Sequence, residues 1–456
     1  MASRRFAFGS LALAALVVLA GCSAAFGSDE GRIAPPTEHQ EGDPGSDVLG
    51  WEGGYWYDDP VAVNASDGYN GSERAALVNR TMARIEQIRG LEFEESVPVD
   101  VISREQYRAN RSGGGGNPTF QAWNDQVWEG LFIVPESTGS SESFDQTLGE
   151  SVLGYYSPGQ DSIVIVSDSP TPRISNATLA HELVHALQDQ QFGFGGAPDT
   201  QDRQLASDSV VEGEANFVES VYTDRCGDVW SCQPRPERGP GGGSGGGSVN
   251  AGLLLTILTP YTAGQEFVES VYDDRGWAGV SDLHEAEPDS TEQVIHPDRY
   301  PDEEPVNVTV TDRSSGEWDR FDHDPVADTV GEASIYAMFF DNDVIPREDV
   351  YSYESDPSEG WAGDALVPYT DGNENDSEGA YVWKTRWDTE RDAREFVSAY
   401  RDLLRGHDAR SEGSGVFVVP EDDPYGDAFR VVRNGRTVRI VNAPTVADLD
   451  AVHEPA

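Results

Sequence analysis

The chain has 456 residues, enough for one large core or two to three smaller ones. Acidic residues number 82 against 31 basic, a formal charge of −51, and Lys384 is the single lysine. A phosphate backbone needs clustered Lys and Arg, so a nucleic-acid partner is disfavoured. So acidic a surface repels itself in dilute salt and is screened at molar salt, where the Debye length is about 3 Å; this fits a halophile's protein.

Arg4 and Arg5 precede an apolar run, Phe6 to Ala20, too short to span a bilayer comfortably. The run ends in Leu19-Ala20-Gly21-Cys22, which resembles a lipoprotein signal-peptide box. That resemblance implies cleavage before Cys22 and a lipid on its sulfur. Residues 1–21 are expected to be a signal peptide. Residues 22–50, polar and punctuated by Pro and Gly, read as a disordered tether. The expected location is the outer face of the cytoplasmic membrane, held there by the lipid.

Structure is expected to begin near Trp51. Ser72 to Arg89 carries a helical stripe of Leu77, Val78, Met82, Ile85 and Ile88, with Ser72 as its cap. Val97 to Ile102 reads as a strand, Ser103 opens a short helix, and Gly113 to Gly116 reads as a flexible insertion. Val152 to Tyr156 and Ser162 to Val166 flank Ser157-Pro158-Gly159-Gln160-Asp161, which predicts a β-hairpin.

The hairpin leads into His181-Glu182-Leu183-Val184-His185. No Pro or Gly interrupts Ala177 to Gln191, Ser175 or Asn176 offers an N-cap, and Gly193 offers a stop. On a helix the two histidines lie one turn apart on one face and can share an ion. Neutral imidazole suits zinc, and Glu182 is placed to accept a proton from water at the metal. Leu179, Leu183 and Leu187, with Val184 and Ala186, make an apolar stripe beside the histidines.

Leu205 to Tyr222 predicts a long helix rich in carboxylates, with Glu212 and Glu214 at its centre. A carboxylate can complete a site that two histidines leave short of a ligand. Asp208 and Asn216 are candidates for orienting the ligand histidines from behind. Cys226 and Cys232 can close a small disulfide loop in an exported chain; two free thiols are the alternative. Gln233 to Asn250 reads as a disordered loop. Phe217-Val218-Glu219-Ser220-Val221-Tyr222 recurs as Phe267 to Tyr272, which suggests two related helices.

Ala251 to Leu258 and Thr262 to Asp273 predict further helices. His296 is a candidate donor to a developing oxyanion, with Tyr300 beside it as the other choice. Val306 to Val310 reads as a strand, Val326 to Phe340 as a helix, and Glu354 to Glu378 as an acidic loop. Tyr381 to Trp387 reads as a strand and Thr389 caps a helix to Leu404. Val416 to Val419, Ala428 to Arg433 and Thr437 to Val441 read as closing strands. The whole predicts an α+β fold. A small mixed sheet with its hairpin packs on a metal-binding helix pair over residues 51–300, and a C-terminal α/β module covers 301–456.

Several stretches together resemble a family of exported zincin-like surface lipoproteins found in haloarchaea, with wider relatives in bacteria. They are the Tyr155-Tyr156 hairpin, His181 to Gln190, Val211-Glu212-Gly213-Glu214-Ala215, Ser290 to His296 and the helix after Trp387. The resemblance implies a zincin-like fold and a hairpin strand that lines the substrate cleft. Glu-Gly-x-Ala also resembles the segment bearing the third ligand in gluzincin aminopeptidases, which points to Glu212 over Glu214. The expectation is a lipid-anchored zinc metallopeptidase acting on protein or peptide. Zinc is held by His181, His185 and Glu212, Glu182 is the general base, and His296 is a candidate catalytic residue. The alternative is a surface protein of the same fold that binds a partner without cleaving it.

Overall fold

The computed structural model describes residues 42–455 apart from 65, 113–116, 149–151, 234–248, 349 and 373–377, together with residues 33, 34, 36 and 39. The signal peptide, Cys22, most of the expected tether, the Gly113 to Gly116 insertion and most of the 233–250 loop lie outside the described residues.

The molecule is α+β, as its sequence patterns predict. A two-stranded ribbon, β1 (Trp51–Glu52) and β2 (Tyr55–Trp56), leads into helix α1 (Gly71–Arg89). Asn70, not Ser72, caps α1: its side chain accepts from the Ser72 and Glu73 amides while Glu73 returns to the Asn70 amide. Strand β3 (Val99–Ile102) follows, then helices α2 (Arg104–Ser112), α3 (Pro118–Gly130) and α4 (Ser140–Leu148). The expected hairpin forms from β4 (Gly154–Ser157) and β5 (Ser162–Val166). β5 also pairs in parallel with β3, giving a mixed three-stranded sheet of order β3-β5-β4.

Helices α5 (Asn176–Phe192) and α6 (Gln201–Asp224) come next. Helix α7 (Ala251–Leu258) is joined to α8 (Ala263–Leu283) by a short 3-10 turn at Thr259–Tyr261, and α9 (Thr291–Ile295) follows. The two copies of the Phe-Val-Glu-Ser-Val-Tyr repeat are helical and pack face to face on α6 and α8, where the Phe217 ring meets Tyr272 at 5.3 Å. Cys226 and Cys232 form a disulfide just past the end of α6.

Beyond residue 300 come β6 (Asp319–Arg320), α10 (Gly331–Asp341), β7 (Trp361–Thr370) and β8 (Gly379–Trp387). Then follow α11 (Glu390–Gly406), β9 (Arg410–Gly413), β10 (Val416–Val418), β11 (Ala428–Asn434), β12 (Thr437–Ala443) and α12 (Asp448–Val452). The strands make one seven-stranded sheet, order β6-β7-β8-β12-β11-β10-β9, antiparallel at every pairing.

Two sequence expectations fail here. Val306 to Val310 is not a strand; it runs beside the sheet, held by the Val306 N–H to the Ala362 carbonyl and by Lys384 and Arg320, which donate to the Thr309 and Val310 carbonyls. The segment read as an acidic loop instead contains β7, the longest strand of the sheet and buried over most of its length. Asp364 lies inside that strand because four donors satisfy it: the Val330 and Gly331 amides and the indoles of Trp361 and Trp383. Pro368 is tolerated because β6 pairs only with Tyr369 and Thr370, so its missing N–H breaks no ladder.

The main apolar core is continuous from Met82 and Ile85 through Leu183, Val210 and Phe267 to Trp383, Phe396 and Tyr400. A second cluster, including Trp318, Val367, Val382 and Leu449, fills the other face of the large sheet. Helix α5 runs through the main core. Residues 179–188 are buried on every face, so the expected stripe is a fully enclosed helix. Among the described residues no helix is long and apolar enough to cross a membrane.

Candidate metal centre

Helices α5 and α6 run antiparallel: His181 meets Glu219 while Gln188 meets Val211 and Glu214. That register brings Glu212 opposite the histidine pair. His181 Nε2 lies 3.1 Å from Glu212 Oε2, His185 Nε2 lies 3.3 Å from the same oxygen, and the two Nε2 atoms are 3.1 Å apart. The residues His181, His185 and Glu212 are 4%, 1% and 2% exposed, so no bulk water screens them.

This triangle tests whether an ion fits. Zinc held tetrahedrally at about 2.0–2.1 Å from each donor requires donor-to-donor edges of about 3.3–3.4 Å. The observed edges of 3.1 to 3.3 Å match that requirement closely. The electrostatics agree. Burial opposes a proton on His181, yet the carboxylates of Glu212 and Glu219 outweigh it and carry its pKa well above the imidazole range. Burial likewise pushes the Glu212 carboxyl up, but His185 and His181 hold it down at about 2. The pocket is built to hold positive charge where these three atoms meet.

Each donor is braced from behind. Glu219 Oε2 stands 3.4 Å from His181 Nδ1, and Gln188 Oε1 stands 3.0 Å from His185 Nδ1. The Tyr261 hydroxyl donates to Glu212 Oε1 at 2.9 Å, and its ring lies nearly parallel to that of His181. Burial first, then the Glu212 charge, raises the Tyr261 pKa well above the phenol range, so it stays a donor. Asp208 and Asn216 do not brace an imidazole. Asp208 accepts from Gln204, and burial followed by the Glu212 charge pushes it up to about 8. Asn216 donates to the Tyr261 carbonyl at 2.7 Å and so steadies the turn that carries Tyr261.

Glu182 sits beside this triangle and is 1% exposed. The hairpin positions it: the Tyr156 amide on β4 donates to Glu182 Oε2 at 2.8 Å, and the Tyr156 hydroxyl donates to Asp189 two turns further along α5. Glu182 Oε1 is buried without a hydrogen-bond partner among the described residues. Burial is the main reason its pKa is raised, with His181 and His185 pulling the other way. A buried carboxylate oxygen left free next to a cation-seeking pocket is suited to receive a proton.

The remaining candidates lie elsewhere. Glu214 faces away from the triangle, tied to Arg89 and His284. His296 pairs with Glu332 at 3.2 Å, and Tyr300 donates to the Ala286 carbonyl at 2.6 Å. Neither His296 nor Tyr300 shares a hydrogen bond or ion pair with His181, Glu182, His185 or Glu212. Sequence reasoning missed Tyr261, Gln188 and Glu219. Of these, Glu219 carried a signal, since it follows Glu212 by seven residues and so shares its helix face. A second group of carboxylates, Glu292, Glu303 and Asp388, also converges. Arg299 already lies among them, bonded to Glu292 and 3.6 Å from Glu303.

Residues 319–453 match the model of a family described as a domain of unknown function, DUF8575. The match covers the large antiparallel sheet and leaves out His181, Glu182, His185 and Glu212. No curated protein and no solved structure matches this chain.

Proposed function

We propose that this protein is a zinc-dependent hydrolase with a zincin-like fold, acting on the amide bonds of proteins or peptides. The observation that carries the reading is the triangle of His181, His185 and Glu212 donor atoms, 3.1 to 3.3 Å on its edges, beside the unpartnered Glu182 Oε1. His181 and His185 would hold zinc through Nε2 and Glu212 through Oε2. Zinc, when bound, supplies a Lewis acid that acidifies a water and polarises a carbonyl.

The chain's own residues do the rest. Glu182 accepts the proton of the attacking water on Oε1 and returns it to the leaving amine. The Tyr156 amide keeps Glu182 from turning, because it occupies the other carboxylate oxygen. Tyr261 holds Glu212 in register by occupying Oε1. The lipoprotein-like segment ending at Cys22 supports a location on the outer face of the cytoplasmic membrane. The charge of −51 supports work in concentrated salt.

The test is elemental analysis of protein folded in molar salt. Near-stoichiometric zinc in the wild type, lost in Glu212→Ala, is the expected result; a wild type that takes up no zinc on reconstitution overturns it. A second reading is a non-hydrolytic binding protein, favoured by how deeply the site is enclosed: all four residues are 4% exposed or less. Zinc-loaded protein that cleaves no member of a peptide library, with Glu182→Gln indistinguishable from wild type, selects that reading.

A further inference from the structure

Glu214 lies two residues from Glu212, is equally buried, and takes no part in the donor triangle. Its role becomes visible through Gln188. The Gln188 amide nitrogen donates both its hydrogens to pure acceptors: the Val211 carbonyl and Glu214 Oε2, each at 2.9 Å. That fixes which end of the amide is nitrogen. Gln188 Oε1 therefore faces His185 Nδ1 as an acceptor, at 3.0 Å. An acceptor there requires the proton on Nδ1, which leaves the Nε2 lone pair for the triangle.

Glu214 is in turn clamped. Arg89 donates to its Oε1, and His284 Nε2 meets Oε2 at 2.6 Å. Arg89 is held over the Trp277 ring, 4.7 Å to its centroid, and donates to Ser281 Oγ at 3.0 Å. His284 stacks on Phe192 with ring centroids 4.2 Å apart. Four helices thus lock one carboxylate: α1 through Arg89, α5 through Gln188 and Phe192, α6 through Glu214 itself, and α8 through Trp277 and Ser281.

We propose that Gln188 and Glu214 form a buried relay that fixes the tautomer and ring orientation of His185 for metal binding, with Gln188 as the positioning residue and Glu214 as its anchor. This rests on the reading of His181, His185 and Glu212 as metal ligands. The relay is asymmetric: His181 receives a carboxylate directly from Glu219, whereas His185 receives a carboxylate's pull through an amide. It also gives the two glutamates of Glu212-Gly213-Glu214 separate duties, one toward the ion and one toward the histidine that holds it.

The experiment is zinc affinity by competition with a chromophoric chelator in molar salt, on wild type and Gln188→Met. Methionine keeps the side chain's length and apolar bulk and removes both the acceptor and the donors. Partners behind a ligand histidine are typically worth 10–100-fold in metal affinity. The expected result is a loss of about that size together with a changed visible spectrum of the cobalt(II)-substituted protein, which reports ligand geometry. Equal affinity and an unchanged cobalt spectrum in the variant, with zinc bound normally by the wild type, overturn the relay alone. A wild type that binds no zinc overturns the metal reading and the relay with it. Should Gln188→Met fail to fold, imidazole proton–nitrogen NMR of zinc-loaded wild type labelled at histidine decides: the relay requires a slowly exchanging proton on His185 Nδ1, and a metal-bound or unprotected Nδ1 overturns it.

Discussion

Three side-chain atoms that attract positive charge meet within 3.3 Å of one another, and the carboxylate beside them keeps one oxygen free. Glu182→Gln keeps size and shape while removing the proposed base. Zinc content and thermal unfolding are expected to match wild type, and peptide hydrolysis to fall by at least about 10²-fold, in line with general-base catalysis. Turnover within a few-fold of wild type would sink the assignment of Glu182. Tyr261→Phe deletes only the hydroxyl that steadies Glu212. Zinc binding is expected to weaken about 10-fold, read by chelator competition; unchanged affinity means that the turn carrying Tyr261 is only packing. The histidine pair and Glu182 were readable in the sequence because they are local, four residues on one helix. Tyr261 was not, because its place beside Glu212 depends on a fold-back across α7.

At the scale of elements, the site depends on how closely α6 and α8 cross. A Cβ built on Gly213 would lie 2.3 Å from the Gly264 carbonyl oxygen, and one built on Gly264 would lie 2.8 Å from the Ser209 carbonyl oxygen. Backbone faces backbone there, so neither neighbour can turn aside. Gly213→Ala is expected to force the helices apart and cost about 1–3 kcal/mol of stability, measured by the denaturant midpoint. A second expectation is weaker zinc binding, since Gly213 adjoins Glu212 and Gly264 follows the turn bearing Tyr261. A midpoint equal to wild type would show that the crossing relaxes without penalty. Most helices here were legible from their apolar period, α1, α5, α7 and α11 within a few residues. Strand β7 was not, because its Asp364 and Pro368 are sequence signals for a loop and only the surrounding donors and the short edge strand reverse them.

For the whole molecule, pH and salt act on different groups. Burial is the leading cause that lifts Asp202, Asp328 and Asp427 to about 7, Asp208 to about 8, and Glu86 and Glu292 to about 9. Each holds its proton more tightly folded than unfolded, where a carboxyl titrates near about 4. Their contribution to stability is full below pH about 4 and is lost as pH rises through about 7 to 9. Glu212, held at about 2, contributes oppositely, but its gain is complete above pH about 4 and adds no slope beyond it. At constant molar salt, which screens the surface charge but not burial, the denaturation midpoint is expected to fall from pH 5 to pH 9. A flat or rising midpoint over that window would contradict the buried-acid account.

The sequence by itself determined the α+β class, the hairpin, the long helices and the pairing of His181 with His185, since each follows from periodicities or caps within one or two turns of chain. It also limited the third donor to the carboxylates of one acidic helix. The resemblance singled out Glu212 among them, and the structure brings Glu212 to the histidines. Only the tertiary structure decided that Glu214 joins Arg89 and His284, that Gln188 and Glu219 stand behind the imidazoles, and that His296 pairs with Glu332. Those choices turn on which face of α6 lies against α5. Another side of the same helix meets α8 at Gly213 and Gly264, a close approach between residues some fifty positions apart that no local pattern records.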